Sequence, residues 1–189
     1  MIIAITGCIG SGKSYYLNQL HLLHNIDVFS ADEFTLNAYE DASIKSKLND
    51  VFNCVVNGKV EKSIIRNNLN DSNIKKLNEI IHPFVAKCIM EVKQKYENSL
   101  AFIEVPLLFE TKMESLFDAS LVIDINDDLR HKRLKERNGK AYEYMLQLEK
   151  QQFSNEEKVK RATYVLKSTE NDELNIKQLN DILNVIKKK

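Results

Sequence analysis

Gly7-Cys8-Ile9-Gly10-Ser11-Gly12-Lys13-Ser14 fills every fixed position of G-x-x-x-x-G-K-[ST], a spacing suited to gripping a polyphosphate. Phosphate oxygens need several backbone N–H groups aimed into one small volume, where side chains would block the approach. Glycine permits both the backbone angles and the close contact. A helix starting near Lys13 adds its first-turn N–H groups and the positive end of its dipole. Lys13 is expected to reach the β- and γ-phosphates and the Ser14 hydroxyl to ligate Mg²⁺. Gly10, Ser11, Gly12 and Tyr15 complete the expected contacts to ATP. Three of the five glycines (Gly7, Gly10 and Gly12) fall in this loop, which makes a chance match in an ordinary turn the weaker reading.

Phosphoryl transfer also needs a group that orients or deprotonates the attacking hydroxyl. Ser30-Ala31-Asp32 follows a candidate strand, Ile26-Asp27-Val28-Phe29, on the edge where open α/β sheets bind ligands. Asp32 could hold an acceptor hydroxyl there. Equally, Asp32 or Ser30 could simply cap the next helix. Val105-Pro106-Leu107-Leu108-Phe109-Glu110 follows the next candidate strand, and Pro106 and Leu107 fit either a ligand wall or a core corner. Glu104 and Glu110 are candidates for water-mediated Mg²⁺ binding or site closure, against the commoner role of surface carboxylates. In the basic stretch Arg130–Arg137, Arg133 and Arg137 share a helix face at i and i+4. They suit a lid that neutralises the transferring phosphoryl group, or a solvated basic face, or a nucleic-acid patch.

These residues require a frame. Residues 2–6 form a continuous apolar run, expected of a strand buried on both faces of a parallel sheet. Further strands are expected at 26–29, 100–105, 120–125 and 164–166, with helices between them. Leu179, Ile182, Leu183 and Ile186 form the stripe of a last helix capped near Asn171-Asp172. The pattern predicts an α/β fold with a doubly wound, parallel five-stranded sheet. About seventy residues after the second strand show no convincing strand. Ile74, Leu77, Ile81, Val85, Cys88 and Val92 mark a long helix there, with Pro83 expected to kink it. A crossover needs only about a dozen residues, so the excess reads as an inserted helical lobe. A second, charged helical insert runs from Arg130 to about Arg161.

The chain has 189 residues, 43% hydrophobic and 29% charged, enough for a real core and a polar surface. Zero formal net charge gives no whole-protein field toward nucleic acid or membrane. No apolar run approaches a membrane span, and no secretory leader is expected from Met1-Ile2-Ile3. Cys8, Cys54 and Cys88 lack C-x-x-C spacing and read as free thiols in a cytoplasmic protein. The histidines show no metal-ligand clustering, and the Lys187–Lys189 tail reads as a frayed, solvated end. A GTPase would need N-K-x-D and D-x-x-G, and a transporter ATPase L-S-G-G-Q; none is present.

These residues resemble the dephospho-CoA kinase family over nearly the whole chain. The resemblance is carried by Ile5–Ser14, Ser30-Ala31-Asp32, Ile81-His82-Pro83, Val105–Glu110, Arg133-Leu134 with Arg137, and Gln152 through Glu157-Lys158 to Arg161-Ala162. It implies ATP-dependent phosphorylation of the ribose 3′-hydroxyl of dephospho-CoA; a P-loop kinase for another small acceptor, such as a nucleoside monophosphate, is the alternative. It also implies three parts: a nucleotide-binding core (1–30, 99–129 and 162–189), a helical acceptor domain (31–98) and a lid (130–161). On this basis Lys13, Asp32 and Arg137 are catalytic, and Asp32, His82, Pro106 and Leu107 face the acceptor. A monomer acting on a small molecule, without nucleic-acid or membrane partners, is expected. The family usually has glycine at Cys8, threonine at Tyr15 and arginine at Leu148, and favours aspartate and asparagine near Thr163 and Ser168, where the adenine is expected.

Overall fold

The computed structural model describes residues 1–188, the side chains of Asn138 and Lys140 excepted; Lys189, the end of the lysine tail, lies outside it. β1 (Ile2–Thr6) is buried at every residue, so it must be covered on both faces. It occupies the middle of a five-stranded parallel sheet in the order β2-β5-β1-β6-β7, with β2 Asp27–Ser30, β5 Ala101–Glu104, β6 Ala119–Ile125 and β7 Tyr164–Ser168. Ile3 pairs with Phe102 on one side and Ala119 on the other. The second strand starts one residue later than the expected 26–29, because the Ile26 N–H donates to Leu20 O and closes the preceding helix.

Helix α1 (Lys13–His24) and the last helix, α9 (Asp172–Ile186), supply most of one core layer. Tyr16, Leu17 and Leu20 of α1 join Leu179, Leu183 and Ile186 of α9 against Ile3, Ile5, Phe102, Leu121, Ile123 and Leu166 of the sheet. Asn171 caps α9, its side chain accepting from Leu174 N–H at 2.9 Å. After β6 the chain forms α6 (Asp127–Asn138), α7 (Tyr142–Glu149) and α8 (Asn155–Arg161) before returning as β7.

Two compact units result: Met1–Phe29 with the chain from Tyr96 onward, and Ser30–Lys95. The second is helical, with α2 (Ala31–Ala38), α3 (Ala42–Phe52), α4 (Lys62–Asn67) and α5 (Asp71–Lys95). α5 runs unbroken through Pro83 and buries Ile81, Val85, Ile89 and Val92. Ile74, which belongs to the apolar stripe by spacing, is 42% exposed, so the first turns of α5 lie outside that core. This unit is not strand-free, contrary to the sequence reading. Val55–Val56 (β3) and Lys59–Val60 (β4) form an antiparallel hairpin. Asn57 and Gly58, at φ 52° and 77°, make its two-residue turn, the Asn-Gly combination that such hairpins favour.

Candidate active site

β1 delivers the chain into the phosphate loop, and the packing dictates glycine at its first position. A Cβ on Gly7 would lie 2.7 Å from Ser11 Oγ and 2.8 Å from the backbone oxygen of Ile123 in β6. Gly10 has φ +81°, and a Cβ there would come within 2.6 Å of Leu134 Cγ on α6. The loop closes through Ser11 N–H to Cys8 O at 3.1 Å, and Gly12, in the left-handed conformation, starts α1. No side chain caps α1. α4 and α7 also start without a side-chain cap, whereas α2, α3, α6, α8 and α9 start on Ser30, Asp41, Asn126, Ser154 and Asn171 side chains; α1 differs in starting behind a glycine loop. An uncapped helix start behind a glycine loop is what an incoming phosphate requires. Lys13 lies back along the loop, donating to Gly7 O at 3.0 Å and Cys8 O at 3.2 Å. Ser14, one residue on, is exposed.

A cavity of about 570 Å³ opens above the loop. Ile9, Gly10, Gly12, Lys13, Ser14 and Tyr15 line it from the loop side, and Glu104 from the end of β5. Arg133, Leu134, Glu136 and Arg137 line it from α6. The two arginines differ. Arg133 donates to Ser168 Oγ at 3.0 Å and Thr169 O at 2.8 Å, which ties it to the end of β7. Arg137, a turn further along, is exposed. The basic stretch is therefore not one solvated face: Arg130 is buried, bridging Asp127 Oδ1 at 2.9 Å and Glu149 Oε1 at 2.7 Å. Burial pushes the Tyr15 phenol up, with Asp172 adding to the effect, so it stays a neutral ring beside the cavity.

Other site candidates fall elsewhere. Pro106 and Leu107 follow β5; Pro106 O accepts from Thr6 Oγ1 at 3.3 Å, and Leu107 is exposed. Asp32 and His82 belong to the helical unit. Ser30 is the N-cap of α2 and accepts from the Asp32 N–H at 3.2 Å, while Asp32 itself is exposed. His82 is half-buried on α5, and burial pulls its imidazole below the ordinary value of 6.5. Glu110 is not an open surface carboxylate: it pairs with the fully buried Lys158 at 2.8 Å and accepts from Phe153 N–H at 2.7 Å. Glu136 and the Gln152 acceptor for Ile9 N–H (3.0 Å) were not singled out by spacing. Only the i, i+3 relation of Glu136 to Arg133 could have suggested the first.

The dephospho-CoA kinase family model matches residues 1–173. The chain belongs to the dephospho-CoA kinase family. It is 31% identical to the dephospho-CoA kinase of Fusobacterium nucleatum over 90% of this chain and 91% of that one. A solved structure from Thermus thermophilus, 30% identical, superposes with a TM-score of 0.85 over 98% of this chain and 96% of that one. The dephospho-CoA kinase of Campylobacter jejuni, 25% identical, does so at 0.73 over 99% and 97%. This member of the family is thus a kinase that uses a nucleotide as phosphoryl donor, built on the P-loop kinase fold. Thr163 and Ser168 have local partners. Thr163 and Ser120 exchange two bonds, Ser120 N–H to Thr163 Oγ1 at 3.1 Å and Thr163 N–H to Ser120 Oγ at 3.0 Å, locking β7 onto β6. Ser168 accepts from Arg133, and Leu148 is half-buried on α7.

Proposed function

We propose that this kinase transfers the γ-phosphoryl group of ATP to the ribose 3′-hydroxyl of dephospho-CoA, giving coenzyme A and ADP, the last step of coenzyme A biosynthesis. The observation that carries it is a family match running through the phosphate loop and the helical unit alike, since the loop by itself suits many acceptors.

Backbone N–H groups of the loop and of the start of α1, between Gly10 and Ser14 and apart from the Ser11 N–H that closes the loop, receive the phosphates, and the Lys13 ammonium moves from its loop carbonyls onto the β- and γ-oxygens. No group of three His, Cys, Asp or Glu side chains able to hold a metal occurs among the described residues. Mg²⁺ keeps much of its water and needs few protein ligands, and the exposed Ser14 hydroxyl lining the cavity suits it. When bound, Mg²⁺ supplies charge neutralisation at the phosphate oxygens. Asp32 orients the attacking hydroxyl and takes up its proton, Arg137 offsets charge on the transferring group, and His82, Pro106 and Leu107 face the acceptor. Unlinked Cys8, Cys54 and Cys88 support a cytoplasmic enzyme, and we infer a monomer.

Mass analysis and phosphorus NMR of the product from ATP and dephospho-CoA test the assignment. One added phosphate on the 3′-oxygen is expected. Equal turnover of adenosine or a nucleoside monophosphate would favour a kinase for another acceptor.

A further inference from the structure

Lys158 has no exposed surface, and its ammonium donates to Glu110 Oε1 at 2.8 Å and to Pro106 O at 3.0 Å. Pro106 O also receives the Thr6 hydroxyl at 3.3 Å, from the last residue before the phosphate loop. The Glu110 oxygen that pairs with Lys158 accepts in addition from Phe153 N–H at 2.7 Å. Gln152 Oε1 takes the Ile9 N–H at 3.0 Å, and Asn155 donates to Asp124 at the end of β6. The segment from Gln152 to Lys158 is thereby tied at once to the phosphate loop, to β6 and to the turn carrying Pro106 and Leu107.

Such a pair is a poor device for stability alone. Removing an ammonium and a carboxylate from water costs more than their attraction reliably returns, and apolar residues of like size often serve as well. Glu110 is also incompletely satisfied, since its Oε2 is buried without a hydrogen-bond partner among the described residues. What the pair does provide is direction. An ammonium with two fixed acceptors locates the Pro106 carbonyl relative to the end of β1, and the exposed Leu107 follows directly on it. We propose that Lys158 is a positioning residue for the acceptor: held by Glu110, it fixes the Pro106–Leu107 turn against the start of the phosphate loop. This rests on the reading that Pro106 and Leu107 face the acceptor.

Kinetics of the Lys158→Met/Glu110→Leu double variant test it, because no unpaired charge is left buried. Its melting temperature should fall only modestly, because Phe153 N–H and Pro106 O lose partners but no charge is left unpaired. KM for dephospho-CoA should rise about ten-fold or more while KM for ATP moves less than about two-fold, since small misplacements at a reacting centre cost that much. Glu110→Gln, which keeps an acceptor for Phe153 N–H, should show the same split more weakly and serves should the double variant not fold. Leu107→Ala separates the two ideas. If it raises the acceptor KM and the charge-free variant does not, Lys158 is only structural and the proposal is overturned. An equal rise in both KM values would overturn it as well. If Leu107→Ala leaves the acceptor KM unchanged, the wall reading fails and the proposal with it.

Discussion

Asp32 is second in α2, and the cap of that helix belongs to Ser30, so its carboxylate is not consumed by capping. Asp32→Asn keeps the shape but cannot accept a proton. We expect kcat to fall about 10²-fold or more while ATP affinity stays within about two-fold. Single-turnover kinetics beside nucleotide titration measure both, and collapsed affinity with intact turnover would make Asp32 a structural residue. His82 gives a pH signature. Its folded pKa lies below 6.5, so on acidification the unfolded chain takes up the proton first. Stability conferred by the neutral ring is complete above 6.5 and is lost as pH falls through 6.5 and the lower folded value. The drop in melting temperature between about pH 7.5 and about pH 5.5 should shrink in His82→Asn, and an unchanged drop would assign it to other groups.

Among the elements, the phosphate loop and α6 act as one piece, because Leu134 of α6 fills the space above Gly10. Gly10→Ala meets two obstacles, the left-handed backbone angle, costing about 1–2 kcal/mol, and the leucine side chain. Nucleotide affinity should fall in Gly10→Ala and recover in part, not fully, in Gly10→Ala/Leu134→Ala, because only the second obstacle is removed. Full recovery would show that backbone strain is unimportant there. The two arginines of α6 should also separate. Arg137→Ala should slow phosphoryl transfer about 10²-fold or more with little change in acceptor KM. Arg133→Ala loses the anchors at Ser168 and Thr169, so it should lower the melting temperature and nucleotide affinity together. Identical behaviour of the two variants would contradict this division.

For the whole molecule, the second compact unit is far longer than a strand crossover needs and has its own helical core around α5. A kinase with that much additional surface should use contacts remote from the reacting hydroxyl. Binding energy from the pantetheine arm can be spent on positioning the ribose, so truncated acceptors should lose kcat as well as affinity. We expect kcat/KM for adenosine and AMP to lie about two orders of magnitude or more below that for dephospho-CoA. A truncated acceptor with normal kcat and only a raised KM would show that the arm contributes uniform binding.

The features legible in the sequence are those set by near neighbours along the chain. Gly7 through Ser14 announce a phosphate site because loop and helix start are contiguous, and Ile2–Ile5 announce a buried strand because the run leaves no polar face. The Asn57-Gly58 hairpin was equally local, but its two-residue strands were too short to stand out against the helices around them. What the tertiary structure decided concerns charges whose partners lie far away in sequence. Spacing makes Arg133 and Arg137 equivalent, yet the end of β7 restrains one and leaves the other exposed. Likewise Glu110 reads as a surface carboxylate and Lys158 as one lysine among many, until the fold buries them against each other. Periodicity reports which face of an element is apolar. Whether a charge can be buried depends on a counter-charge arriving from another part of the chain, and only packing determines that.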